Sequence, residues 1–362
     1  MSLRGPVIDS TTPTGVSGPP VVDERVSKTP LITRVLRRPE IGALVGAIAI
    51  YIVFAAADTT GNFSTLQGAA GWTDFAAPVG IVAVFVALLM IAGEFDLSSG
   101  VMVGTSGLFL GLLVTQLGMN VWLAFICTVV MAAVVGLING ILVIRTALPS
   151  FIVTLGTFFV LKGANLAVTK QITGSVRVSG VSQGEGFDSA FKVFSSTFQI
   201  GGATFQISLI WWVILTLFAT VLLTRTKFGN WIQAAGGDAN AARNAGVPVA
   251  RTKILLFMMT SVAASLVGTM FLLRLGGMQA GQGVGQEFYY IIAAAVGGTL
   301  LTGGAGSAIG ASIGALIMGF AAIGIPYAQW NQDWVSTFLG AILFFAVLVN
   351  SIISRRARGG RK

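Results

Sequence analysis

The chain has 362 residues, of which 54% are hydrophobic and only 10% charged, and its mean hydropathy is +0.86. A soluble domain carries about a quarter charged residues, so this composition excludes a water-covered globule of the same size and implies lipid as the solvent. Histidine is absent and Cys127 is the single cysteine, which excludes intrachain disulfides, Cys/His zinc sites and His-based triads.

The net charge of +9 is not a nucleic-acid signature, because Lys and Arg flank apolar runs and the aromatic residues lie inside those runs. Residues 1–38 are polar, rich in Pro, Ser, Thr and Val, and lack any period; they read as a disordered cytoplasmic tail. Ala55-Ala56-Ala57 resembles a signal-cleavage site. The polar stretch before it is too long and further apolar runs follow, so the first run is read as a retained helix.

At roughly 20 mostly apolar residues per crossing, ten spans are predicted near 41–57, 73–92, 98–116, 119–144, 149–169, 206–224, 253–273, 288–301, 307–325 and 334–353. The first and eighth are short. Backbone in lipid must satisfy its own hydrogen bonds, so the fold class is all-α: a polytopic membrane bundle of about ten transmembrane helices spanning 39–354. Lys170, Arg177, Lys192 and Arg274 fall on one side, whereas the other loops and both ends carry far more Lys and Arg. That bias places both termini in the cytoplasm, makes 170–205 an external loop and 225–252 a cytoplasmic one, and leaves 355–362 as a basic tail. The expected location is the bacterial cytoplasmic (inner) membrane, crossed many times.

Three features point to mechanism. In Gly93-Glu94-Phe95-Asp96-Leu97-Ser98-Ser99-Gly100, two carboxylates follow an apolar run. Charge at membrane depth needs a partner or water, so these residues either line a path at a broken helix or, through Asp96 or Ser98, cap the third span. Capping is preferred for Asp96 and Glu94 stays open. Gly100, Gly104 and Gly107, and again Gly306, Gly310 and Gly314, follow a short break at about one-turn spacing. Such paired interruptions either mark a pathway or reflect close helix packing.

In the cytoplasmic loop, Asp238 is a good N-cap, Ala239, Ala241 and Ala242 form helix well, Arg243 suits the last turn, Gly246 fits the C′ position and Pro248 stops continuation. Two turns are marginal alone, so the helix either docks on a partner or rests on its own protein. Lys162 falls inside the fifth span, where snorkelling or pairing is preferred to solute contact. Trp211, Trp212, Trp330 and Trp334 lie near span ends and read as an aromatic belt.

Gly93 to Gly100 is similar to Gly-Gly-Ile-Asp-Leu-Ser-Val-Gly, and Leu148-Pro149-Ser150-Phe151-Ile152-Val153-Thr154-Leu155-Gly156-Thr157 to Leu-Pro-Pro-Phe-Ile-Val-Thr-Leu-Gly-Thr. The loop from Gly236 to Val247 is similar to Gly-Gly-Asn-Pro-Glu-Ala-Ala-Arg-x-x-Gly-Ile, and Gly297 to Ser307 to Gly-Gly-Thr-Ser-Leu-Ser-Gly-Gly-Arg-Gly-Ser. Through these ordered segments the chain resembles the ribose/xylose/galactose-type permeases of ABC importers, a branch of the group that includes branched-chain amino-acid permeases. The resemblance covers about 40–353.

It implies a permease homodimer, a cytoplasmic ABC ATPase that holds ATP and Mg, and a periplasmic sugar-binding protein. It makes the loop helix a coupling helix, with Asp238, Asn240, Ala241, Ala242, Arg243 and Gly246 as contacts. Glu94, Phe95, Asp96, Ser98, Phe151, Thr154, Thr157 and Asn165 are candidates for the translocation path. Arg274, Gln286 and Glu287, at the outer ends of the seventh and eighth spans, are candidates to meet the binding protein or are plain interfacial charge.

The chain departs from the pattern at Glu94-Phe95 for Gly-Ile, Asp238-Ala239 for Asn-Pro, Asn240 for Glu and Ala305 for Arg. It has no G-x-x-x-x-G-K-[ST], so it is expected not to be an enzyme, and no catalytic residue, metal or cofactor is assigned within it. The alternatives are a secondary transporter using Glu94 or Asp96 as a proton site, and an ABC permease for branched-chain amino acids. A sugar is preferred because the Asp-Leu-Ser and Phe-Ile-Val-Thr-Leu-Gly-Thr segments resemble that branch more closely.

Overall fold

The computed structural model describes residues 39–359. The tail expected at 1–38 lies outside the described residues, as do the last three positions of the tail expected at 355–362. The helices are α1 (Pro39–Ala57), α2 (Leu66–Ile91), α3 (Ser99–Leu117), α4 (Val121–Thr146), α5 (Ser150–Thr173), α6 (Phe187–Phe194), α7 (Ser208–Arg225), α8 (Lys227–Gly237), α9 (Ala239–Asn244), α10 (Val249–Leu275), α11 (Gln286–Val296), α12 (Ala308–Tyr327) and α13 (Trp334–Gly359). Among the described residues, eight helices are long and apolar enough to cross a bilayer: α1 to α5, α7, α10 and α12. The chain is a multi-pass, all-α membrane bundle.

The span expected at 288–301 is corrected. Its helix, α11, has only 11 residues, about 16 Å at 1.5 Å per residue, against a hydrocarbon core of about 30 Å. Gly297 and Gly298 end it, and 297–307 continue without helix. The last expected span, 334–353, lies within α13.

Apolar side chains on every face of α2 predict a central helix, and 89% of its apolar window is buried. Against it pack α12, α7, α11 and α10, while α1, α4, α5 and α7 leave most of their own apolar surface exposed. Small residues set the closest approaches. A Cβ on Gly136 or Gly140 of α4 would run into the α10 backbone at Met258 or Ile254, and one on Gly319 of α12 would run into the Trp72 carbonyl of α2. Gly80 makes room for the Trp212 ring, which is buried and bonded through Nε1 to Ser312 Oγ at 3.2 Å. Trp212 therefore belongs to the interior and not to an aromatic belt.

Two short antiparallel ribbons complete the described chain. One is the hairpin of β2 (Thr197–Ile200) with β3 (Ala203–Gln206); the other pairs β1 (Arg177–Ser179) with β4 (Gly277–Gln279). The β1–β4 ribbon lies along α3: Gly111 faces Val178 and Gly107 faces Met278. Beyond it, the carbonyl of Gln282 packs on Gly104 and Glu287 on Gly100. The glycine row of α3 thus accommodates a short strand and a run of turns that enter the bundle and deliver α11 there. The second row does a related job, since Gly310 and Gly314 of α12 pack on Gly297 and Ala293.

Candidate functional site

The interruption between α2 and α3 leaves backbone N–H groups without helical partners, and α5 supplies acceptors. Phe95 N–H donates to Ser150 Oγ at 3.0 Å and Leu97 N–H to Thr154 Oγ1 at 3.1 Å. Asp96 is fully buried; its Oδ1 accepts from Ser98 N–H at 2.8 Å and from Ser98 Oγ at 2.6 Å. Ser98, next to the first residue of α3, makes no side-chain cap bond, so Asp96 is the residue that bonds a free N–H at this helix start. Asn139 of α4 donates to Ser98 Oγ at 3.0 Å, and Thr157 of α5 donates to Asn139 Oδ1 at 2.6 Å. Asp96, Ser98, Asn139 and Thr157 form one chain of hydrogen bonds across three elements, and each link strengthens its neighbours in a low-dielectric interior. Asp96 Oδ2 has no protein partner.

Glu94 is held differently. Its Oε1 accepts from Lys253 Nζ at 2.5 Å, and both side chains are 12% exposed. Lys253 stands early in α10, a few residues after the loop helix, so this ion pair ties the α2–α3 break to the loop. Three glycine-bearing breaks meet beside it. Gly304 N–H donates to the Ile91 carbonyl at 2.8 Å. A Cβ on Gly236 would collide with that same carbonyl oxygen and with Gly304 N. Gly303 has φ +80°, a conformation that favours glycine, and a Cβ there would meet Gly236 O and Gly93 Cα, both at 2.9 Å. The ends of α2, α8 and the α11–α12 connection are in direct backbone contact.

The loop holds two helices where one is expected. Thr226 caps α8 by accepting from Gly229 N–H at 3.2 Å, and Ile232 and Ala235 are its buried face. Thr226 followed by apolar residues at 228, 231, 232 and 235 is a legible helix signal. Asp238 caps α9, its Oδ1 accepting from Asn240 N–H at 2.9 Å and Ala241 N–H at 3.0 Å. Gly246 has φ +82°; its N–H and that of Val247 return to the carbonyls of Arg243 and Ala242 at 3.0 Å each, a left-handed C-terminal cap. Asn240, Ala241, Arg243 and Gly246 are exposed. Ala242 is corrected as a contact: it is 6% exposed and packs with Ala235 and Val249 of the same chain.

The remaining candidates separate. Phe151 is exposed and outside the polar chain, and Asn165 Nδ2 donates to Thr105 Oγ1 at 3.1 Å further along α5. Arg274 is exposed and forms a fork with Asp74 at 2.7 and 2.9 Å. Gln286 accepts from Tyr290 OH at 2.8 Å. Glu287 is corrected as a surface contact: it is 3% exposed, accepts from Gly285 N–H at 3.0 Å, and packs on Gly100, because the backbone before it turns into the bundle. Sequence reading missed Asn139, Ser150 and Lys253. A lone Asn within an apolar span was the available signal for the first; the partners of the other two lie 55 and 159 positions away.

Interrupted membrane helices that converge on a buried polar chain, with an exposed helix at one end of the bundle, define a membrane transport protein. The branched-chain amino acid transport system / permease component model matches residues 68–347, and the chain belongs to that family. The autoinducer 2 import system permease protein LsrD of Salmonella typhimurium is 30% identical over 278 residues, 77% of this chain and 81% of that protein. The LsrD of Yersinia pseudotuberculosis is 29% identical with the same coverage. No solved structure matches the chain at a significant level.

Proposed function

We propose that this chain is the membrane-spanning permease subunit of an ATP-driven ABC importer for a monosaccharide or similar polar solute. The observation that carries the reading is α9, a capped helix whose Asn240, Ala241 and Arg243 face outward while its end abuts the glycine junction of the broken helices. A six-residue helix does not hold itself in water. Two caps and the buried Ala242 fix it on this protein and leave its outer face for a partner.

In this reading α9 seats in the cytoplasmic ATPase, which binds ATP and Mg and performs the hydrolysis. Closure of the ATPase pair pushes α9. The push passes through Gly236 to the α2–α3 and α11–α12 breaks as a rigid-body shift. A second copy of the permease completes the path in the bacterial inner membrane, and a periplasmic binding protein delivers the solute to the opposite end. The relatives' named cargo, autoinducer 2, joins pentoses and hexoses as solutes to test first.

The test is uptake of labelled solutes into proteoliposomes carrying the chain with the ATPase and binding protein encoded beside it. Uptake should require ATP, and Arg243→Glu should abolish both uptake and ATPase co-purification while insertion is unchanged. Uptake that persists without the ATPase and collapses with the proton gradient overturns the proposal and redirects attention to Glu94 and Asp96.

A further inference from the structure

Lys162 presents a problem in electrostatics. It lies near the middle of the 24-residue α5, about 18 Å from the first residue and 16 Å from the last. The hydrocarbon core is about 30 Å thick, so its Cα sits close to the bilayer midplane. A lysine stem of about 6 Å cannot carry the ammonium to either interface from there. Yet Lys162 is exposed, and it has no ion-pair partner among the described residues. Its one aromatic neighbour is Phe158, 5.8 Å from Nζ to the ring centroid, which gives modest stabilisation. A cation at that depth is tolerated only beside protein or water.

The surroundings are polar. Glu287, at the first turn of the half-length α11, packs on Gly100 of α3, one turn before the Gly104 that lies beside Asn165. Asn165, one turn on from Lys162, faces Thr105 and approaches the position where Gln282 meets Gly104. The segment 280–285 reaches this depth without helix; the N–H groups of Ala280, Gln282, Val284 and Gly285 are bonded within the protein, and Gly281 alone stands exposed.

We propose that Lys162 and Glu287 form a charged, water-filled solute site at mid-membrane, one that accepts oxygen-rich solutes, neutral polyols or monoanions, and rejects organic cations. The ammonium donates to hydroxyl or anionic oxygens, Asn165 and the exposed Gly281 peptide complete the hydrogen bonding, and the buried carboxylate limits the positive field. The proposal deepens the import reading by giving the permease its own selectivity site.

Thiol labelling tests it without any ATPase, so its failure is distinguishable from failure of the uptake assay. In membrane vesicles carrying the full chain with Cys127→Ala, Lys162→Cys is exposed to membrane-impermeant methanethiosulfonates, one anionic and one cationic. Val134→Cys, on the exposed apolar row of α4 at similar depth, is the lipid-facing control. We expect Lys162→Cys to react at least tenfold faster than the control. The cationic reagent should lead the anionic one by several-fold, because Glu287 remains, and adding Glu287→Gln should erase that preference. Lys162→Cys reacting no faster than Val134→Cys overturns the water-filled site. Fast reaction with a charge preference that Glu287→Gln leaves intact overturns the pairing with Glu287.

Discussion

The ion pair between Glu94 and Lys253 sits where the family pattern has glycine, and it makes a quantitative prediction about the α2–α3 break. With both side chains 12% exposed, the charges are largely withdrawn from water. Removing one partner leaves the other uncompensated, at a cost of about 3 kcal/mol, the lower end for a buried pair because some exposure remains. Neutralising both leaves no orphan charge, so the double variant should cost less than the two single ones together. The expected coupling is about 1.5–3 kcal/mol, within the range seen for contacting residues. Glu94→Gln, Lys253→Met and the double variant, in lipid nanodiscs, form the cycle. Hydrogen exchange of the backbone amides at 92–98 reads local opening of the break directly as a free energy. Each single variant should speed exchange there by roughly a hundredfold, since about 1.4 kcal/mol is a factor of ten, and Glu94→Lys with Lys253→Glu should recover at least half of that. If the two single effects add to within about 0.5 kcal/mol, the pair does not hold the break and the reasoning fails.

Three other outcomes follow from neighbouring geometry. Gly236→Ala pushes a methyl into the Ile91 carbonyl and Gly304 and should destabilise the chain by about 1–3 kcal/mol, whereas Gly237→Ala, with nothing within 4 Å, should leave the thermal unfolding midpoint unchanged. Asp238→Ala removes the acceptor for two N–H groups of α9 and should cost about 1 kcal/mol and weaken ATPase co-purification, while Asp238→Asn should retain both. In the 58–65 loop, burial pushes the Asp58 carboxyl up, but hydrogen bonds from Phe63 N–H, the Thr60 hydroxyl and Thr60 N–H outweigh it and hold the group below the ordinary carboxylate range. A lowered folded value means the stabilisation is present above the ordinary carboxylate value and lost as pH falls through the lowered one. Proteolysis of this loop should therefore rise on acidification, and Asp58→Asn should flatten that dependence.

The legible parts of this protein are local in sequence. Asp238 and Gly246 bracket α9 within nine positions, and each acts on backbone groups only a few residues away, so helix-capping chemistry alone places that helix. The α2–α3 break was equally visible, because two carboxylates after a long apolar run have no cheap place in lipid. Glu94 could not be assigned a partner the same way. Lys253 is 159 positions distant and sits on the side where flanking basic residues are already expected. The most instructive miss is Glu287. Hydropathy measures whether a helix can cross, and it assigns no depth to the glycine-rich stretch 276–285, which therefore read as a surface connection.

The missing information lay in α3. Gly100, Gly104 and Gly107 fix a surface where another backbone must touch, but helical spacing says nothing about what that backbone is. On α12 the equivalent row receives the end of α11, so a helix fills it. On α3 it receives β4, the turns at 280–285 and the first turn of α11, so the row holds non-helical backbone that must be covered by protein or reached by water. A glycine row in one span, together with a polar glycine-rich stretch elsewhere too short and too polar to cross alone, is the pattern that distinguishes a backbone entering the membrane from one that skirts it.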